Sequence, residues 1–392
     1  FYLHIGAKNI PEVSYIRALF SLSLVPLLLN GYTHFRPCRM FIFCLLIGIL
    51  LTFAVSMNGI CHINLQNRYF YYFIKITCTC LLFTLITSYW NFIDQYLELD
   101  SAKRLYSILN AAIFLGFTFA GGLISLSLFR IEYLFFFAML SLIAAVMLTL
   151  YLVKTLHPLP KGLDEDPNYL QKPFLKRMLK WILSSPLTIF FLLTNILTQT
   201  LSVTCEFTTF TAFETHFFEK ELLVGEEAQA ALTIFIGKCR AWVSLGNILF
   251  GLLFYSRCLR RFGMHNILLL TPLAFLAFFS IDIFSFQLLL IPIFGYVIVE
   301  GFLYVIDDNN FSLLLKSISP SYRYHIRVAS ESIFEPLGLL IGSLFLQCAP
   351  HYSGAFGLSL ALLSLPFTYL LRFYYIKIHK KQKNPQKKEL AA

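Results

Sequence analysis

Only 13% of the residues in this chain are charged, so the ionisable side chains that interrupt long apolar runs are the ones placed to do chemistry. A charge near mid-bilayer costs about 2.5 kcal/mol or more, and each one therefore implies a partner, a wet cavity or a bound solute. Arg17 and Lys75 lie early in two such runs. Glu206 and Glu214 stand toward the end of the run that begins near Pro186, and Lys238 with Arg240 lie just inside the next one. If their helices line one central path, these side chains make a cationic pocket flanked by carboxylates, suited to a polyanionic solute whose phosphates Lys and Arg hold strongly at low dielectric. The competing accounts are structural. Arg17 and Glu214 can snorkel to an interface, and Lys238 can neutralise Glu206 in a static core. Lys238 and Arg240 are two positions apart, so only one of them is expected to reach a cavity.

Glu300 is read in the inner half of an apolar helix, followed by Asp307, Asp308, Asn309 and Asn310 where that helix leaves the membrane. It either carries a coupling proton, binds a cation or pairs with Arg327. In RVASESIFEP, Arg327, Glu331 and Glu335 recur every four residues and share one helical face. They form an intrahelical ladder, each pair contributing about 0.3 kcal/mol at a surface, or a gate on the cytoplasmic side. Enzyme signatures are missing: the sequence has no nucleophile motif and no phosphate-cradling glycine loop. Most of the nine cysteines (Cys44, Cys78, Cys80, Cys205, Cys239 and Cys348 among them) fall in apolar runs as small hydrophobes. Cys78 and Cys80 point to different sides of a helix. No catalytic residue, metal site or cofactor is expected.

The elements that must position these groups follow from composition. Hydrophobic residues make up 58% of 392, too many for a water-soluble surface. Runs such as LLIGILLTFAVSM are apolar on every face and reach the ~20 residues that span a bilayer as a helix. Eleven spans are read, at 13–33, 38–57, 69–93, 105–128, 131–153, 186–213, 231–256, 264–284, 286–306, 331–349 and 353–376. The opening FYLHIGAKNIPE reads as the tail of one further span, giving a probable total of twelve. Small residues at Gly116, Gly121, Gly122, Gly338 and Gly342 favour close helix packing, and Tyr71, Tyr72, Tyr374 and Tyr375 suit lipid-facing or interfacial positions.

Lys and Arg are distributed one-sidedly over the loops. One set holds Arg36, Arg39, Lys103, Arg104, the 154–180 segment, Arg257, Arg260, Arg261, Lys316, Arg323, Arg327 and the tail; the other is nearly bare and includes the acidic HFFEKELLVGEEAQ. The first set is therefore cytoplasmic. The net charge of +10 is orientation and headgroup charge, and nucleic acid is not an expected partner. Residues 154–185 form the long polar segment, and FLKRMLKWIL within it has the pattern of an amphipathic helix at the inner face. The expected organisation is an N-terminal bundle (1–153), a cytoplasmic linker (154–185), a C-terminal six-helix bundle (186–376) and a basic cytoplasmic tail (377–392). Two six-helix halves in an all-α membrane bundle are the layout of major facilitator transporters.

From Trp90 the chain runs WNFIDQYLELDSAKRLYSILN, which resembles the W-x-F-x-N-Q and E-A-K-R-F-Y stretch of the ATP:ADP antiporter family of plastids and intracellular bacteria. Trp90, Phe92, Gln95, Ala102, Lys103, Arg104 and Tyr106 agree; Asp94 stands for the family's Asn and Ser101 for its Glu. LHIGAKNIPEVSYIRALF is similar to a loop between its first two helices, and RRFGMHN, with Arg260, Arg261, Phe262, Gly263 and His265, to its basic loop after the eighth. The resemblance implies alternating-access exchange of a nucleotide such as ATP or ADP by a monomer in a bacterial inner membrane; on the residues' own charge, Arg17, Lys75, Glu206, Lys238 and Arg240 are the ones expected on the substrate. The alternative on the residues is a proton-coupled permease for another small solute, driven through Glu300. A non-transporting membrane scaffold is the third reading.

Overall fold

The structure, a computed structural model, describes residues 6–34, 37–60, 68–93, 96–97, 99–125, 131–156, 182, 185–220, 226–284, 289–316, 318, 326–327 and 329–389. Among them every regular element is helical. The main helices are α1 (Ile10–His34), α2 (Pro37–Ile60), α3 (Arg68–Ile93), α4 (Leu99–Ser125), α5 (Ile131–Thr155), α6 (Pro186–Thr215), α7 (Glu226–Leu249), α8 (Leu270–Phe284), α9 (Leu290–Val297), α10 (Asp308–Lys316), α11 (Glu335–Cys348) and α12 (Ser353–Glu389). Over the described residues the eleven expected spans fall on helices. Nine stretches of the described residues are long and apolar enough to cross a membrane, and α4 contributes a shorter apolar stretch, Ile108–Ile124. The amphipathic linker helix lies outside the described residues.

Two boundaries differ from the expectation. The helix begun by α9 does not leave the membrane at 306: it continues through a π-helical segment, Ile298–Asp307, into α10, so that the apolar span is Leu290–Leu315. Asp307, Asp308, Asn309 and Asn310 look like a membrane exit in sequence, yet they fall within the continuous apolar span, with Asn309 and Asn310 buried, Asp307 half-buried and Asp308 exposed. Glu300 consequently sits nearer the α9 end of its span than the inner-half position read from the sequence. α12 runs unbroken to Glu389, through what reads as a separate tail from 377; its Lys and Gln are good helix formers.

An apolar exterior and a polar interior follow from having lipid as solvent. Leu50, Phe119, Met147, Tyr151 and Trp242 are all more than 60% exposed in a chain whose surroundings are hydrocarbon. Within the helices, Thr84, Thr118, Thr149, Thr200, Thr204 and Thr208 donate to the carbonyl four residues back, so these hydroxyls are not stranded in an apolar medium. Tyr72 departs from the lipid-facing expectation: it is buried and donates to Glu12 at 2.8 Å. Tyr374 stacks on Phe190 at 5.5 Å between ring centroids.

Two groups of helices, α1–α5 and α6–α12, meet along two seams: α1 packs on α11, and α4 packs on α7. Small side chains close the first seam, where Ala18, Val203 and Leu339 are buried together. Gly121 closes the second, since a Cβ there would stand 3.0 Å from the Ala241 amide nitrogen. Within the second group, Gly338 brings α11 onto α6: an added Cβ would meet the Ile196 carbonyl oxygen at 2.5 Å. Gly116 and Gly122 do not serve close packing, because a Cβ at either meets nothing within 4 Å. Gly338→Ala is therefore expected to lower thermal stability by about 1–3 kcal/mol through overpacking, whereas Gly116→Ala leaves it unchanged or slightly raised. Unfolding curves of the two purified variants side by side check this.

Candidate functional site

The charged side chains converge between the two groups of helices. Lys75 on α3 lies within electrostatic reach of Glu206 on α6, Arg17 on α1, Arg240 on α7 and Glu300 in the π-helical segment. Arg240 pairs with Glu300 at 3.4 Å and places its guanidinium 5.0 Å from the centre of the Phe117 ring on α4. One cation thus touches both groups of helices at once. Of the alternatives left open for these residues, the geometry places them as follows. Arg240 pairs with Glu300 while Lys238 is exposed, and the cation in the field of Glu206 is Lys75. Glu300 pairs with Arg240, and Arg327 with Glu331. Arg17 is half-buried and lines a cavity with Ser21, Thr84 and Glu331. Glu214 stays apart: it accepts a hydrogen bond from the Ala7 amide and feels Lys8.

A second tier of charge continues from Arg17. Glu335 is within reach of Arg17, Glu331 and Asp308, and accepts a hydrogen bond from Asn195 at 3.4 Å. Glu331 accepts from Thr87 of α3 and pairs with Arg327 at 3.9 Å. Arg327 is only 2% exposed and also donates to Ser312 at 3.3 Å. Arg327, Glu331 and Glu335 do not form the straight ladder their spacing suggests. Residues Ser330–Phe334 are π-helical, with bonds to the fifth residue instead of the fourth, and the register shift leaves Glu335 facing Asn195 and Arg17 while Glu331 keeps Arg327.

Polar contacts join the two helix groups on this tier as well. Asn110 of α4 donates to Asn309 of α10 at 2.7 Å, alongside the Thr87 to Glu331 bond. Two of the four π segments among the described residues carry charges of the cluster, Glu300 in Ile298–Asp307 and Glu331 in Ser330–Phe334. Opening the helix to accommodate an extra residue frees carbonyls, and Asn247 answers one of them by donating to the Glu300 carbonyl at 2.9 Å. Sequence reasoning missed Thr87, Asn110, Asn195, Asn247 and the Asp308 to Asn310 run. Extending the span past 306 would have exposed the last of these; the others are ordinary polar residues whose partners are distant in sequence.

The motif residues divide. Trp90 is buried edge-on against Tyr89, ring centroids 5.3 Å apart, among Ile86, Leu97 and Leu109, where it ties the end of α3 to the start of α4. Asp94 and Gln95 lie outside the described residues; Lys103, Arg104 and Tyr106 lie on α4, and only their backbone is described. In RRFGMHN, Gly263 takes φ +74° between two short helical segments, Ser256–Phe262 and Met264–Ile267, a conformation that favours glycine.

Solved structures share this arrangement of helices. The human organic anion transporter MFSD10 (TETRAN) aligns with a TM-score of 0.58 at 17% identity, over 94% of this chain and 83% of that one. The fold is of the major facilitator type. In this major facilitator fold, the nucleoside transporter NupG aligns at 0.52 and 16% identity over 95% and 90% of the two chains. A bacterial homologue of the iron transporter ferroportin aligns at 0.54 and 14%, over 97% and 94%. No family model and no curated protein matches the sequence, so the antiporter likeness rests on its motif residues alone.

Proposed function

We propose that this chain is an alternating-access membrane transporter that carries a small anionic solute through the interior cluster around Lys75. The observation that carries the proposal is the convergence of Arg17, Lys75 and Arg240, from helices of both groups, with Glu206 and Glu300 among them. Half-buried cations inside an apolar bundle are stabilised by pairing. In the empty carrier the two carboxylates supply that pairing. An anionic solute displaces them and exchanges one set of partners for another, a change that both helix groups feel. Residues Arg327, Glu331 and Glu335, with Thr87 and Asn110, make and break the second tier as the groups rock. Organic anions and nucleosides are the solutes named for two of the similarly folded proteins, and the WNFIDQ to AKRLY stretch adds the nucleotide reading: exchange of ATP, ADP or a related anion by a monomer. The Lys and Arg bias of the loops supports a cytoplasmic C-terminus, in a bacterial inner membrane.

Purified protein in lipid vesicles should take up labelled ATP, ADP or NAD saturably, and faster when the vesicles are preloaded with unlabelled anion. Failure of all three with correctly folded protein sinks the nucleotide cargo. A second reading, a permease driven by protons through Glu300, is favoured by the direct Arg240 to Glu300 pair, since protonating Glu300 would release Arg240 for a solute. Uptake that keeps its full dependence on an imposed pH gradient in Glu300→Gln removes that reading.

A further inference from the structure

Away from the central cluster, a cavity of about 40 Å³ lies between α6, α8, α10 and α12, lined by Thr194, Thr198, Thr271, Asp307, Asn310 and Thr368 among others. Its volume admits one small ion or water, and its lining has an unusual polarity for an apolar bundle. Thr194 donates its proton to the Phe190 and Phe191 carbonyls, and Thr368 to that of Ser364. Thr271 donates to the Asp307 carboxylate at 3.3 Å. With their protons engaged elsewhere, all three hydroxyls have only lone pairs left to offer.

Asp307 adds a carboxylate, and among the described residues no lysine, arginine or histidine pairs with it. Asp308, the next residue, belongs instead to the tier with Arg327 and Glu331. Asp307 is half-buried within an apolar span, and a carboxylate there with no counter-charge is stabilised by a cation or a proton. Asn310 supplies an independent sign of a missing ligand. It is 1% exposed, its Oδ1 accepts from Tyr255 at 3.0 Å, and its Nδ2 has no hydrogen-bond partner. Turning the amide over lets Nδ2 donate to the Tyr255 hydroxyl and puts the oxygen in the unpartnered place, the Tyr255 proton then turning to the Asp307 carboxylate in whose field it lies.

We propose that this cavity is a sodium site, with Asp307 supplying the charge and the threonine hydroxyls and the Asn310 amide supplying neutral oxygens. A single carboxylate balances a monovalent ion and leaves the site neutral, whereas oxygen sites for divalent cations draw on more carboxylates. A proton would satisfy Asp307 alone and leave the remaining lone pairs facing empty space. The helix concerned also carries Glu300 and Asn309, so occupancy is felt at both tiers of the central path.

The site stands or falls independently of the cargo, because the test measures binding. Thermal unfolding of the purified full chain is followed in NaCl, KCl and choline chloride at equal ionic strength. The expected result is a saturable upward shift of Tm in sodium alone, absent in Asp307→Asn and retained in Asp282→Asn, a carboxylate on α8 that lines a different cavity. Should Asp307→Asn fail to fold, Thr271→Val serves, with an expected weakening of apparent sodium affinity by about tenfold. Equal Tm in the three salts overturns the proposal, as does a sodium shift that survives unchanged in Asp307→Asn or in Thr271→Val. A Tm that follows pH in the wild type but not in Asp307→Asn, with no sodium effect, assigns the site to a proton and also overturns it.

Discussion

Lys75→Gln is expected to reduce solute uptake about tenfold or more, because the loss of one charge from a cluster at low dielectric costs on the order of 1.4 kcal/mol, a factor of ten. The neutral side chain keeps nearly the same length, so the packing of α3 is preserved and the loss reports on charge. Lys75 lies in the field of Glu206, Arg17, Arg240 and Glu300. Removing it leaves Glu206 without that cation in a low-dielectric interior. The double variant Lys75→Gln with Glu206→Gln should therefore recover the stability lost in the single variant while transport stays low. Vesicle uptake read beside thermal unfolding separates the two outcomes. If uptake in Lys75→Gln matches wild type in folded protein, the central cluster is not the solute site.

Arg327→Ala should have the largest effect on stability. Arg327 heads the largest fully buried side chains among the described residues, and it serves Glu331, Ser312 and the field of Asp308. Removing one partner of a buried ion pair costs about 3–5 kcal/mol, because the other charge is left uncompensated, while replacing both by apolar groups is often neutral. The single variant should unfold at a markedly lower temperature, and Arg327→Met combined with Glu331→Gln should regain most of the loss. If the double variant is no better than the single, the damage comes from lost packing around Arg327 instead of from an uncompensated carboxylate.

Some of this was legible in the chain itself. The helices were, because in lipid every backbone group must be satisfied within its own helix, and a run such as residues 131–153 or 353–376 has no other way to exist. The interior charges were visible too, since hydrocarbon makes each of Arg17, Lys75, Glu206, Arg240 and Glu300 costly enough to stand out. What failed was local. Asp307 to Asn310 read as a membrane exit because four polar residues end a hydropathy window. The π segments at Ile298–Asp307 and Ser330–Phe334 left no mark in the residue pattern, yet they set which way Glu300 and Glu335 face.

Sequence alone determined that this is an all-helical membrane bundle with a rare set of buried charges, because the cost of lipid exposure is a property of each residue and each run. Only the tertiary structure decided the partners: Arg240 and not Lys238 at Glu300, Glu331 and not Glu300 at Arg327, Asn195 at Glu335. Pairing across a bundle depends on helix rotation and on the register shifts that π turns introduce, and those are fixed by packing between segments far apart in the chain, where hydropathy carries no record of them.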